Sequence, residues 1–199
     1  MQGGASLKSM SVQKIASILR ISVLVTFICN LLALPVVPGL VYFRSNIARR
    51  MEFSQLQRIF DYDFDDGLGN LLGIYLTEVW KEPYTAALTL FLLFSGICTA
   101  VILLQAIRVL CTIVEGNRNP FTLENAASLR RAALCCFLIA AAALARVVFS
   151  VCYYRSPLPL ATYNALFVPM FAMGGLLCLV MSALFRQAAE MKAENDLTI

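Results

Sequence analysis

Histidine is absent from this sequence. Its absence removes the side chain used most often as a general base and the commonest protein ligand for transition metals. Charge is scarce too: 14% of residues are Asp, Glu, Lys or Arg, against about 25% in an ordinary soluble domain. The sequence has no glycine-rich phosphate loop, no Gly-x-Ser-x-Gly elbow and no His-Glu-x-x-His helix. The long apolar runs hold no Asp or Glu, so intramembrane proteolysis by paired aspartates is excluded. The residues therefore point away from an enzyme and imply no cofactor and no catalytic or metal site.

Cysteine is present, but not in a pattern that carries chemistry. The seven cysteines fall within or beside apolar runs, and Cys135 and Cys136 are adjacent rather than spaced as C-x-x-C. They read as small packing residues. The single acidic run, Asp61, Asp63, Asp65, Asp66 and Gly67, departs from a calcium loop. The sixth and twelfth positions, which want Gly and Glu, hold Asp66 and Leu72.

What the sequence has in excess is apolar length. Sixty per cent of residues are hydrophobic and the mean hydropathy is +0.76, too much for a chain of this size to cover with a polar shell. The stretches 21–43, 83–107 and 156–185 contain no charge, and each exceeds the roughly 20 residues that cross a bilayer as helix. A fourth stretch is interrupted only by Arg146. Its Leu, Ile, Val and Phe residues favour insertion by roughly 4–5 kcal/mol, which outweighs the ~3 kcal/mol cost of a central Arg.

The predicted architecture is an all-α integral membrane four-helix bundle forming a single domain. Its spans are about 18–43, 84–110, 132–154 and 162–185. An outer loop covers 44–83, with helical stripes over 46–60 and 70–80. A cytoplasmic loop covers 111–131 and a cytoplasmic tail 186–199. The first run is longer than a signal-peptide core and no A-x-A-like site follows it, so it reads as a span. Residues 1–13 read as loose. The short loop 115–131 is strongly basic, and the outer loop balances its bases with acids. Basic residues near span ends stay inside, so both termini are expected in the cytoplasm.

Local signals place the elements more finely. Pro35 and Pro38 should kink the outer end of the first helix, and Thr122 should cap the third, with Glu124 suiting the positive end of its dipole. Asn30 and Gln105 read as hydrogen-bonding residues inside the bundle. Pro169 should bend the fourth helix, and Gly174 and Gly175 permit close packing or a hinge. Arg146 is the one charge well inside a span and is a functional candidate by default. Its expected partners are a loop carboxylate such as Asp61 or Asp63, helix-end carbonyls or a lipid phosphate.

Two segments resemble a known family. Pro120, Phe121, Thr122, Leu123, Glu124 and Asn125, followed by Leu129, Arg130 and Arg131, resemble the inner-loop signature of the bacterial four-helix membrane family DUF2975. So does the tail from Phe185 to Ile199, ending Glu194, Asn195, Asp196, Leu197, Thr198, Ile199. The tail departs from the family pattern at Ala188 or Ala189 and at Ala193. The resemblance implies the bacterial cytoplasmic membrane, no established activity, and a small helix-turn-helix protein as companion.

The leading expectation is therefore a membrane-bound regulator or sensor. Phe121, Glu124, Asn125 and Arg130 would meet Glu190, Glu194 and Asp196 to form a partner-binding surface. The expected partners are the lipid bilayer, that helix-turn-helix protein and a second copy of the chain, with no direct contact to nucleic acid. The alternatives are a transporter or channel component, using Arg146, Asn30, Gln105 and the Pro169–Gly175 break, or a structural, lipid-interacting membrane protein.

Overall fold

The computed structural model describes residues 3–39, 41, 77, 79–114, 120–161 and 163–197, with side chains from residue 14 onward except 163, 164 and 197. The loop segments 46–60 and 70–76, the acidic run 61–67, the turn 115–119 and the last two residues lie outside them. Four long helices make up the fold: α1 (Gly3–Ala33), α2 (Pro83–Val114), α3 (Leu123–Tyr154) and α4 (Tyr163–Leu197). All four are long and apolar enough to cross a membrane. Among the described residues there is no strand. This all-α bundle is the economical solution in lipid, where each backbone N–H and C=O must find its partner within the segment.

The helix boundaries follow from local chemistry. α1 starts at Gly3, so the loose segment expected over 1–13 is instead helical from its third residue. Once a helix is nucleated, each added residue gains a hydrogen bond, and nothing between Ser6 and Lys14 breaks the pattern. At its other end Pro35 converts the chain into one 3-10 turn, Leu34–Val36, because proline offers no N–H to the preceding turn.

α2 opens with Pro83 at its first position, where the missing N–H costs nothing. The Thr85 hydroxyl bonds the carbonyls of Val79 (2.8 Å) and Glu82 (2.9 Å). It thereby ties the helical turn Val79–Lys81 to the start of α2. α3 is capped by the Thr122 side chain, which accepts from the Asn125 N–H at 3.1 Å. It closes at Arg155, which adopts the left-handed conformation at φ 49°.

α3 is the centre of the fold. In its apolar window 39% of residues are buried, against 17% in α2 and 6% each in α1 and α4. Ala126, Ala132, Ala133, Cys136, Ile139, Ala140, Ala143 and Val147 form the buried stripe, recurring every three or four residues as a helix face requires. Small side chains let its neighbours come close, which is how helices gain contact in a membrane where the hydrophobic effect is spent.

Each helix packs on its sequence neighbour: α1 on α2, α2 on α3, α3 on α4. Among the described residues no extended α1–α4 interface closes the ring. Along that side the described residues leave the bundle open. Hydroxyls on its exposed flank are satisfied within their own helix: Ser22 donates to the Ile18 carbonyl at 3.1 Å and Thr26 to that of Ser22 at 2.9 Å.

Two glycines mark close approaches. A Cβ at Gly96 would lie 2.6 Å from Leu34 Cδ2, and one at Gly175 would lie 3.0 Å from the Phe137 ring. Gly174 has nothing within 4 Å of that position, so of the glycine pair only Gly175 is used for packing. Pro169 lies within α4.

Candidate functional site

The two ends of α3 carry the polar chemistry. At its N-terminal end the Asn125 side chain is 2% exposed. Its amide donates to Thr112 Oγ1 and to the Pro120 carbonyl, both at 2.7 Å, so the end of α2 is tied to the start of α3. Thr112 in turn donates to the Val109 carbonyl at 2.7 Å. Ser182 of α4 donates to the Ala126 carbonyl at 2.7 Å. The Phe121 ring meets Phe185 edge-on with centroids 5.0 Å apart. Three helices are knotted here, and two of the side chains involved, Phe121 and Asn125, are ones the sequence assigned to a partner.

The structure places the Asn125 side chain inside and engaged, where Thr112 and the Pro120 carbonyl take its two amide protons. The single surface anticipated from both segments is also divided. The pairs Phe121–Phe185 and Ala126–Ser182 fix the register, which puts Arg130 level with about residue 178 of α4. Glu190 then stands roughly 18 Å further along, at 1.5 Å per residue. Phe121, Glu124 and Arg130 are exposed beside the knot, whereas Glu190, Glu194 and Asp196 are exposed beyond it. Glu190 accepts from Arg186 Nε at 2.8 Å, one turn apart on the same helix. Residues 186–197 carry α4 about 18 Å past the knot.

The other end of α3 is aromatic. Tyr84 of α2 packs against Tyr153 and Tyr154, with centroids 5.8 and 5.4 Å apart, and Phe149 stacks on Tyr153 at 6.0 Å. Such rings favour the headgroup level of a bilayer. Beneath them Arg146 lies with its guanidinium carbon 4.9 Å from the centroid of Phe91 on α2, within the range of a cation–π contact.

Arg146, Val147, Ser150 and Tyr154 share one face of α3. With Tyr84, Ser156, Leu158 and Pro159 they line a cavity of about 390 Å³. Its floor, Val147 and Ser150, is buried; its rim, Tyr154 and Leu158, is exposed. The described lining contains no carboxylate. Phe91 and the hydroxyl set were not foreseen. The serine and tyrosine one and two turns beyond Arg146 were the available signal. Phe91 is found only once the antiparallel register is known. Asp61 and Asp63 lie outside the described residues.

Asn30 and Gln105 do not join this cavity. Asn30 lies against Gly96 in the α1–α2 contact. Gln105 is buried, and among the described residues its Oε1 has no hydrogen-bond partner. It stands fourteen residues along α2 from Phe91, roughly 21 Å. Among the described residues no three cysteine or carboxylate side chains converge to hold a metal.

Four long apolar helices, polar ends and hydroxyls satisfied within their own helix define a multi-pass helical membrane protein. Residues 11–199 match the family described as Protein of unknown function (DUF2975), and the chain belongs to that family. No curated protein and no solved structure matches it.

Proposed function

We propose that the chain is a membrane-bound regulator or sensor that acts with a small cytoplasmic helix-turn-helix protein. In this reading the tyrosine end faces outward and residues 186–197 stand in the cytoplasm. The carrying observation is the extension of α4 beyond the knot, with Glu190, Glu194 and Asp196 exposed along it. DNA-binding proteins present basic surfaces; Arg186 and Lys192 offset part of the charge of the extension, and Glu194 and Asp196, beyond the Arg186–Glu190 pair, are the carboxylates that attract such a surface. The extension is continuous with the part of α4 that packs on α3 through Phe185, Ser182 and Gly175. A shift of α4 within the bilayer would therefore move the docking helix as one body.

The test is crosslinking from residues 186–197 in the native host. The expected product is a small helix-turn-helix protein, lost when Asp196, Leu197, Thr198 and Ile199 are deleted. Capture that survives both this deletion and Glu190→Lys with Glu194→Lys would refute the docking surface. If the changes alter abundance alone, a structural role is the better description. Thiol labelling of cysteines placed at residues 121 and 196 reads the orientation: both should react from the cytoplasmic side only.

A further inference from the structure

We infer that Arg108 of α2 and Arg131 of α3 hold between them the phosphate of an anionic phospholipid headgroup, at the opposite end of the spans from the tyrosines. This inference is independent of the regulator reading and stands whichever way the bundle is inserted.

The argument begins with level. The Phe91–Arg146 and Thr112–Asn125 contacts fix the antiparallel register of α2 and α3. They bring Arg108 within about one turn of Arg131 along the bundle axis. The close approach of Leu34 to Gly96 places Arg20 of α1 at that level too. From Tyr84 to Arg108 is roughly 36 Å of helix, and from Arg131 to Tyr154 roughly 35 Å. A hydrocarbon core is about 30 Å thick, and about 40–45 Å with its headgroups. With the tyrosines at one headgroup layer, the arginines therefore stand in the other.

Direction follows from the helical turn. On α2 the side facing α3 is set by Phe91 and Thr112, and Arg108 is turned from it by roughly 80°. On α3 the side facing α2 is set by Arg146 and Asn125, and Arg131 is turned from it by roughly 80° in the same sense about its own axis. In an antiparallel pair, equal turns in one sense point to the same side of the groove. Packed helix axes are about 8–10 Å apart, so two long side chains rooted there can close on one group. Arg20, Arg108 and Arg131 are exposed, and among the described residues none of their side chains has an ion-pair or hydrogen-bond partner. The described carboxylate on that face of α3, Glu124, lies two turns further out, roughly 10 Å along the axis.

The chemistry of the site selects the ligand. A guanidinium is a planar fork of donors with no acceptor, and it meets phosphate oxygens through paired hydrogen bonds. Two forks closing on one phosphate, with a third cation beside them, favour a headgroup of net negative charge over one whose own ammonium cancels the phosphate. The surface on the membrane side of the arginines is apolar. Ile97 and Leu104 share the face of Arg108, and Leu134 and Leu138 share that of Arg131, by helical spacing. All four are exposed, so acyl chains have a column to lie along while the head meets the charges. A soluble anion or an acidic protein segment would use the charges and leave the column bare, which makes the lipid the favoured occupant.

A tryptophan placed in that column is the reporter. The single native tryptophan is removed by Trp80→Phe, and Leu134→Trp is introduced. The full chain is reconstituted in phosphatidylcholine with a small fraction of lipid brominated along its chains. The brominated component is either phosphatidylglycerol or phosphatidylcholine. Quenching should favour the glycerol lipid. Arg108→Gln and Arg131→Gln should each lower that preference by roughly fivefold in relative association, whereas Arg155→Gln, at the tyrosine end, should leave it unchanged. Arg108→Lys with Arg131→Lys should retain part of it, because the charge stays and the fork goes. Circular dichroism establishes that each variant is folded, and the lysine pair carries the test if the glutamine variants are not. Equal quenching by both lipids with the arginines intact overturns the inference. So does a preference unchanged in the folded Arg108 and Arg131 variants, or one lowered as far by Arg155→Gln. Loss of the preference on adding excess inorganic phosphate or a soluble polyglutamate peptide, at constant ionic strength, overturns the lipid as occupant.

Discussion

The two ends of α3 solve different problems with similar residues. At the Asn125 end the side-chain donors find acceptors inside the protein: two bonds of 2.7 Å join helices, and a third of 2.7 Å ties Asn125 to the Pro120 carbonyl before α3. At the Arg146 end a cation lies against an aromatic face, beside a cavity of about 390 Å³. The first end spends its hydrogen-bonding capacity on holding α2, α3 and α4 together. The second keeps hydroxyls and charge around a space. Polarity within a membrane protein is therefore not one signal: whether it marks stability or recognition depends on how much room is left beside it.

Substitutions can break this contrast, and the largest effect belongs to the knot. Asn125→Ala leaves the Thr112 hydroxyl and the Pro120 carbonyl without their donor, and a loss of about 2–4 kcal/mol is expected. Reversible unfolding in mixed micelles measures it; a loss under half a kilocalorie would show that water replaces the amide and that no knot exists.

Gly175→Ala should cost about 1–2 kcal/mol by driving a Cβ into the Phe137 ring. Gly174→Ala, with open space around it, should stabilise by roughly 0.5–1 kcal/mol through helix propensity. The same unfolding assay compares the two, and equal effects would contradict the α3–α4 packing. Ser182→Ala removes one interhelical bond, for which about 0.6 kcal/mol is typical in membranes. A double cycle with Asn125→Ala tests whether the two bonds act together.

The smallest expected change in stability is that of Arg146→Gln. Losing a cation–π contact costs about 0.5–2 kcal/mol, and removing a charge from the span returns a comparable amount. A net effect within about 1 kcal/mol is expected. If Arg146→Gln destabilises as much as Asn125→Ala, the tyrosine end is a second knot and the contrast collapses.

The spans were legible in the sequence because lipid imposes a simple rule: charge must be absent for the length of a bilayer. The Thr122 cap was legible because capping is local, decided within three residues. The burial of Asn125 was not legible, because it depends on Thr112, thirteen residues earlier and on another helix. The same limit hid Phe91 from Arg146. Periodicity says that two residues share a helix face, but the level at which one helix meets the next is set by the packing of α2 against α3. The division between the Phe121 side and the Glu190 side has a similar origin. Proximity of motifs at one membrane face does not include the roughly 18 Å by which α4 outruns α3.

Ser22 and Thr26 close their hydrogen bonds onto carbonyls of α1 itself. A segment whose hydroxyls need nothing from its neighbours can rest in hydrocarbon before they are synthesised. α1 is thus equipped to enter the bilayer first and wait, with Leu34 ready to meet Gly96 when the second crossing arrives. Assembly of this protein then resembles docking onto a helix already in place rather than the collapse of a chain around a common centre.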